Sequence, residues 1–274
     1  MHNENRAKKH FLHTNEEVIE VPFNMLSKNQ QKNIRALSMK KVRDERLLFV
    51  AEGEKLVGDL LGFFECEALF ATEKCRLPLD KKLTQQVTDS EMQRLSQLTT
   101  PTAVLAVFRQ PQRPLDVRQL KTELILLLDA VQNPGNLGTI LRIADWFGIR
   151  HVVCSPDTAD VFNPKTVQAT MGALARVQVH YADLVAFLTD YRQLNLPIYG
   201  TFLDGTNLYQ HQLRPCGAIL LGNEGNGVSP AVAAFATERI LIPNFPDGAP
   251  TSESLNVAAA AAVVCAEFRR RPAQ

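Results

Sequence analysis

The stretch LILLLDAVQNPGNLGTILRIA, residues Leu124–Ala144, decides how the rest of the chain is read. Its apolar run Leu124–Leu128 is short and hydrophobic on both faces, which predicts a parallel strand buried between helix layers. The turn cluster Gln132-Asn133-Pro134-Gly135-Asn136 follows. Leu137, Ile140, Leu141, Ala144 and Phe147 then recur at helical spacing. Asn136 stands where an N-cap belongs, so free backbone N–H groups collect above a strand end. In an open α/β sheet that is a ligand-binding position, and the positive end of the helix favours an anion such as a phosphate. Arg142 is expected to lean back along the helix over Gly138, which offers no side chain to block it. A lone helix arginine is ordinarily just solvated; the loop before it gives this one a reason to be there.

Two further strand-end loops strengthen that reading. Ala218–Leu221 runs into Gly222-Asn223-Glu224-Gly225-Asn226-Gly227, where glycines admit close backbone approach and Glu224 is the one charge. Taken alone it is a glycine-rich turn, and its G-x-x-G-x-G order does not fit a dinucleotide fingerprint. Glu238–Ile242 leads through Pro243 and a polar loop into a helix predicted over Ser254–Arg270, with Ser252 or Ser254 as cap. Strands at His151–Cys154, Val177–Val179 and Ile198–Phe202 alternate with helices at Pro164–Leu174, Ala182–Tyr191 and Pro230–Ala236. This alternation predicts a mostly parallel sheet with the three loops converging on one side.

The N-terminal half is smaller in scale. Residues 1–24 are polar and read as a flexible extension. Strands at Leu47–Val50, Leu69–Ala71 and Ala103–Phe108 alternate with helices at Lys55–Leu61 and Val87–Leu95, the latter capped by Asp89 or Ser90, to give a compact α/β unit over 25–110. Residues 111–120 are a linker, continuing the proline-bearing Arg109–Pro114, and 121–274 form the larger domain. Before the first strand Lys28, Lys32, Arg35, Lys40, Lys41, Arg43 and Arg46 face only Asp44 and Glu45, and the first three share a helix face. Phosphate contact by Lys28, Lys32, Arg35, Lys40, Lys41 and Arg43 is the favoured reading of this cluster.

Composition narrows the class. The chain has 274 residues, 45% of them hydrophobic, and a net charge of +1, so a nucleic-acid surface must come from local clustering. No run is long enough to span a bilayer and the N-terminus lacks an apolar signal core, so a cytoplasmic protein without membrane contact is expected. Five cysteines, odd in number and without a CxxC pair, read as reduced thiols, and no metal site is expected.

Together D-A-V-Q-N-P-G-N-L-G-T-I-L-R-I-A, L-G-N-E-G-N-G-V and I-P…S-L-N-V-A resemble the three motifs of the SpoU (TrmH-like) RNA ribose methyltransferases, over about residues 120 to 270. The N-terminal half resembles, more loosely, the small ribosomal-protein-type RNA-binding domain that such enzymes carry. The resemblance implies an α/β fold whose parallel sheet carries a deep trefoil knot of SPOUT type, S-adenosylmethionine as cofactor, and a homodimer. It implies Gly222, Ile242 and Leu255 as cofactor contacts, with Asn223 and Pro243 beside them. It also implies Asn136, Arg142, Glu224 and Asn256 as a polar catalytic cluster, with Ser254 next to it. Asn244 stands where the family commonly has methionine, Ala258 where serine is frequent, and the loop before Ser254 is longer than usual. The implied reaction is 2′-O-methylation of a ribose in structured RNA, with 23S ribosomal RNA favoured. A transfer-RNA ribose methyltransferase and a non-catalytic RNA-binding protein on the same fold are the alternatives.

Overall fold

The computed structural model describes residues 26–112, 114–246 and 252–270; the extension over 1–24 lies outside them. The N-terminal unit runs α1 (Lys28–Ala36), α2 (Lys40–Arg46), β1 (Leu48–Glu52), α3 (Glu54–Leu60), β2 (Cys66–Ala71), β3 (Thr84–Gln86), α4 (Asp89–Leu95) and β4 (Val104–Arg109). Its sheet has the order β1-β4-β2-β3, antiparallel except for β2 against β3. Ser27 and Thr88 close reciprocal capping boxes with Gln30 and Glu91, so Thr88, not Asp89 or Ser90, starts α4. Strand β3 has only three residues, too few for an alternation to register.

The C-terminal part runs β5 (Leu124–Leu128), α5 (Pro134–Trp146), β6 (His151–Cys154), α6 (Pro164–Thr170), β7 (Gln178–Tyr181), α7 (Leu184–Tyr191), β8 (Ile198–Asn207), β9 (Gly217–Leu221), α8 (Pro230–Ala233), β10 (Glu238–Leu241) and α9 (Val257–Arg270). All six strands are parallel, in the order β10-β8-β9-β5-β6-β7. Strands β5 and β9 are buried at every position, as a both-faces-covered parallel strand requires. From β5 the chain winds outward through β6 and β7, then crosses to the other side of β5. The strand order therefore reverses between β5 and β9, and the loops leaving these two strands flank that switch point.

The two parts share one apolar core, which runs from Phe49, Phe64 and Phe108 to Leu126, Leu141 and Phe268. Phe49 of β1 packs on Phe162, with ring centroids 4.7 Å apart. The segment read as a linker is held at both ends. Gln110 donates to the carbonyls of Arg43 and Leu48, and Leu120 is fully buried. No helix among the described residues is long and apolar enough to cross a membrane.

Candidate active site

The cap of α5 is Asn133, not Asn136. Its Oδ1 accepts from the N–H groups of Gly135 (2.8 Å) and Asn136 (3.2 Å), and Pro134 takes the first helical position, where a missing N–H costs nothing. Asn136 is thereby released from capping, and its side chain is free to work across the switch point. Gly138 is buried against α6. A Cβ there would lie 2.5 Å from the Ala169 Cβ and 2.8 Å from the Thr166 carbonyl oxygen, so this glycine serves helix packing and does not make room for Arg142.

The loops after β5 and β9 are stitched together. The Asp129 N–H donates to Leu221 O at 2.9 Å, and the buried Asp129 carboxylate accepts from the Ser229 N–H at 2.7 Å. Asn223 Nδ2 donates to Ala130 O at 2.8 Å, while its Oδ1 accepts from the N–H groups of Gly225 and Asn226. Paired bonds of 2.9 Å between the backbones of Asn223 and Gly227 close the turn that carries Glu224. That turn folds over Gly222, where an added Cβ would meet the Gly227 carbonyl carbon at 2.2 Å.

The third loop completes a chain of side-chain bonds. Asn256 Oδ1 accepts from the N–H groups of Ala258 (2.9 Å) and Ala259 (3.3 Å), so Asn256 caps α9 in place of Ser252 or Ser254. Asn256 Nδ2 donates to Asn136 Oδ1 at 3.1 Å, and Asn136 Nδ2 donates to Glu224 Oε1 at 2.7 Å. Every donor along this line points toward the carboxylate. The α9 amides demand an oxygen from Asn256, and the Glu224 carboxylate demands an N–H from Asn136, so both amide orientations are set from the ends.

Arg142 is exposed, with no hydrogen bond or ion pair among the described residues, and shares the outer face of α5 with Thr139 and an 85% exposed Trp146. Ser254 and Leu255 are exposed, the latter by 51%, and Ile242 and Pro243 are half-buried. The exposed apolar surface of Leu255 beside the Asn256 amide fits an adenosine-bearing cofactor, whereas Gly222 lies half-buried under its own turn, whose backbone fills the space a side chain would take.

Of the six basic residues assigned to RNA, five are exposed: Lys28, Lys32, Arg35, Lys40 and Lys41. Arg43 is not available to RNA. It is 1% exposed, and its guanidinium donates to the carbonyls of Leu37 and Ser38 (2.8 Å each) and to Asp160 Oδ2 (2.5 and 3.1 Å). Helical spacing locates the charge but cannot reveal a carboxylate 117 residues away.

A parallel sheet with a polar cluster at its switch point, preceded by a unit that carries exposed lysines and an arginine on its first helices, defines an α/β protein with a ligand-binding arrangement at the strand ends. The chain belongs to the SpoU rRNA Methylase family, whose model matches residues 123–266, and a model of the MRM3-like substrate binding domain matches residues 28–106. It is 32% identical over 251 residues to the Bacillus subtilis 23S rRNA (guanosine(2553)-2′-O)-methyltransferase RlmP, covering 89% of this chain and 97% of that protein. Among solved structures it is similar to a chain from Porphyromonas gingivalis assigned to the TrmH family of RNA methyltransferases, with 45% identity, a TM-score of 0.82, and coverage of 91% of this chain and 100% of that one. An AdoMet-bound rRNA methyltransferase from Sinorhizobium meliloti matches with 30% identity and a TM-score of 0.77, covering 88% of this chain and 94% of that chain.

Proposed function

We propose that this protein methylates the 2′-oxygen of a ribose in 23S ribosomal RNA, as a cytoplasmic homodimer with 25–110 engaging the RNA and 121–274 carrying the chemistry. The observation that carries this reading is the bond chain Asn256–Asn136–Glu224, which draws three loops into one cluster at the switch point. S-adenosylmethionine, held by Gly222, Ile242 and Leu255 with Asn223 and Pro243 beside them, supplies the methyl group on a sulfonium that is already a good leaving group.

The task left to the protein is a poor nucleophile, a ribose hydroxyl. Glu224 spends Oε1 on Asn136 and keeps Oε2 as an acceptor for the hydroxyl proton. A guanidinium carries N–H donors and no acceptor, so Arg142 serves as a donor and not as a base. Its unengaged guanidinium takes a phosphate of the RNA and stabilises charge growing on the 2′-oxygen. Ser254, exposed beside Asn256, adds a hydroxyl to the ribose edge. The uncovered Trp146 next to Arg142 supports a second copy of the chain packing on this face of α5. Strand β10 lies beyond β8 while α9 packs on α5, so the chain returns across the sheet after β10; this supports the knotted path of the SPOUT type.

Mapping 2′-O-methyl groups in ribosomal and transfer RNA, with and without the gene, tests the proposal. A single ribose in 23S RNA should lose its methyl group and regain it with purified protein and S-adenosylmethionine; the position matching guanosine 2553 is the first to inspect. Loss confined to transfer RNA would transfer the reading to that substrate, and no loss in either would leave an RNA-binding protein.

A further inference from the structure

Arg43 and Asp160 form a buried pair between the N-terminal unit and the catalytic part, with side chains 1% and 12% exposed. Burying such a pair costs desolvation that a well-packed apolar pair avoids, so stability alone does not account for it. What a guanidinium fork adds is direction. Bonds on both sides of the pair fix its geometry. Arg43 grips the Leu37 and Ser38 carbonyls at the end of α1, the helix whose outer surface carries Lys28, Lys32 and Arg35. Asp160 Oδ1 accepts from the Phe162 N–H at 2.9 Å, and its carbonyl accepts from the buried Thr166 hydroxyl at 3.0 Å. The residue before it, Ala159, donates its N–H to Val131 O at 2.9 Å, two residues from the Asn133 cap and five from Asn136.

The loop between β6 and α6 thus touches the RNA-binding unit and the catalytic loop at once. Ser155 Oγ accepts from the Ala130 N–H at 2.8 Å, and Thr158 Oγ1 donates to Leu128 O at 3.1 Å, which fastens the same loop to the end of β5. Thr166 also presents its carbonyl to Gly138 of α5, so α6 braces the helix bearing Asn136 and Arg142.

We propose that the Arg43–Asp160 pair is a positioning element that sets which ribose is methylated, by fixing the reach between the basic face of α1 and the Asn136–Glu224 cluster. Riboses along an RNA strand are chemically alike, so a rigid span between the grip on RNA and the reacting atom is a physical means of choosing one. The pair is a ruler and touches neither RNA nor cofactor. This inference rests on the methyltransferase reading above, and the wild-type protein separates the two: if it methylates no RNA, that reading fails before the ruler is tested.

The test is Asp160→Asn, which keeps the shape and the bond to Phe162, alongside Arg43→Lys, which keeps the charge and loses the fork. For each, thermal melting, S-adenosylmethionine affinity by calorimetry, single-turnover methylation and the methylated positions are measured. Cofactor affinity should stay within about twofold, while the single-turnover rate at the target falls roughly 10- to 100-fold, the scale of a misplacement of about 1 Å. Methyl groups should also appear on riboses flanking the target. Folded variants that methylate the same single ribose at any rate would overturn the proposal. So would loss of the melting transition in both variants, since the pair would then be a folding staple only.

Discussion

Gly222→Ala is the perturbation whose size follows most directly from the packing of the turn after β9. An added Cβ would sit 2.2 Å from the Gly227 carbonyl carbon, 2.3 Å from the Val228 nitrogen and 2.5 Å from the Gly227 oxygen, against an ordinary contact of 3.4 Å or more. These are backbone atoms, which cannot rotate aside, so the turn has to move by roughly 1 Å, and overpacking of this kind costs about 1–3 kcal/mol. The part that moves is the one closed by the paired Asn223–Gly227 bonds, with Glu224 between them. A shift of that size breaks the 2.7 Å bond to Asn136, and misplacement on this scale lowers the rate about 10²-fold. Gly225→Ala is the control on the same turn. Its Cβ would meet only Asn223 Oδ1, at 3.5 Å, so its stability should stay within about 0.5 kcal/mol of wild type. Thermal melting, calorimetry with S-adenosylmethionine and methylation of ribosomal RNA fragments read the three effects. A Gly222→Ala protein with wild-type melting and wild-type methylation would refute the packing argument and the catalytic placement of the turn.

Arg142→Ala should lose roughly two to three decades of methylation rate, the usual consequence of removing one preorganised donor, with cofactor affinity retained in calorimetry; a near-wild-type rate would remove the residue from the mechanism. Exchange of Lys28, Lys32 and Arg35 for glutamate should weaken RNA binding and flatten its dependence on salt, by about one unit of log–log slope for each phosphate no longer held, leaving cofactor affinity unchanged. Glu52 gives a pH signature. Burial raises its pKa above 4.5 against the opposing bonds from Ser96 and the Gln97 N–H, so the folded state holds this proton to a higher pH than the unfolded chain does. Its contribution is greatest below the unfolded value and declines as pH rises through the folded one, so Glu52→Gln should gain stability relative to wild type between about pH 4.5 and pH 7. Urea midpoints at the two pH values check this, and an equal difference at both would contradict it.

How much of the molecule is legible in the sequence depends on the range of the physics involved. Buried parallel strands announce themselves as short apolar runs, so β5 and β9 and the loops that leave them can be placed. That Asn136, Glu224 and Asn256 form one cluster is what the resemblance to the family's motifs implies, and hydrogen bonds join the three. The cap of α5 falls on Asn133 and not on Asn136, although its signal is local: a proline favours the first helical position, which makes Asn133 the cap and frees Asn136. The helix expected over Pro164–Leu174 breaks at Met171, with φ of 49°, where left-handed backbone permits a tight turn that no periodicity foretells. Gly138 and Arg43 depart from their expected roles for a different reason. Each is explained by a partner far along the chain, Ala169 with Thr166 in one case and Asp160 in the other, and helical spacing sees only its own element.

The direction of the bond chain explains why the cluster needs three loops. A carboxylate accepts only, and the first amides of α9 donate only, so one asparagine side chain placed between them would satisfy both ends at once. Two in series do the same, but add a second amide whose position is set by α5, the helix that also carries Arg142. The cluster therefore registers the turn after β9, the start of α9 and the helix after β5 against one another. Its bonds span 88 and 120 residues, so none can form until the sheet has brought the loops together. Alignment of the cluster is in this sense a property of the assembled sheet, and distant substitutions that shift β5 against β9 should reach the Asn136–Glu224 bond before they unfold the chain.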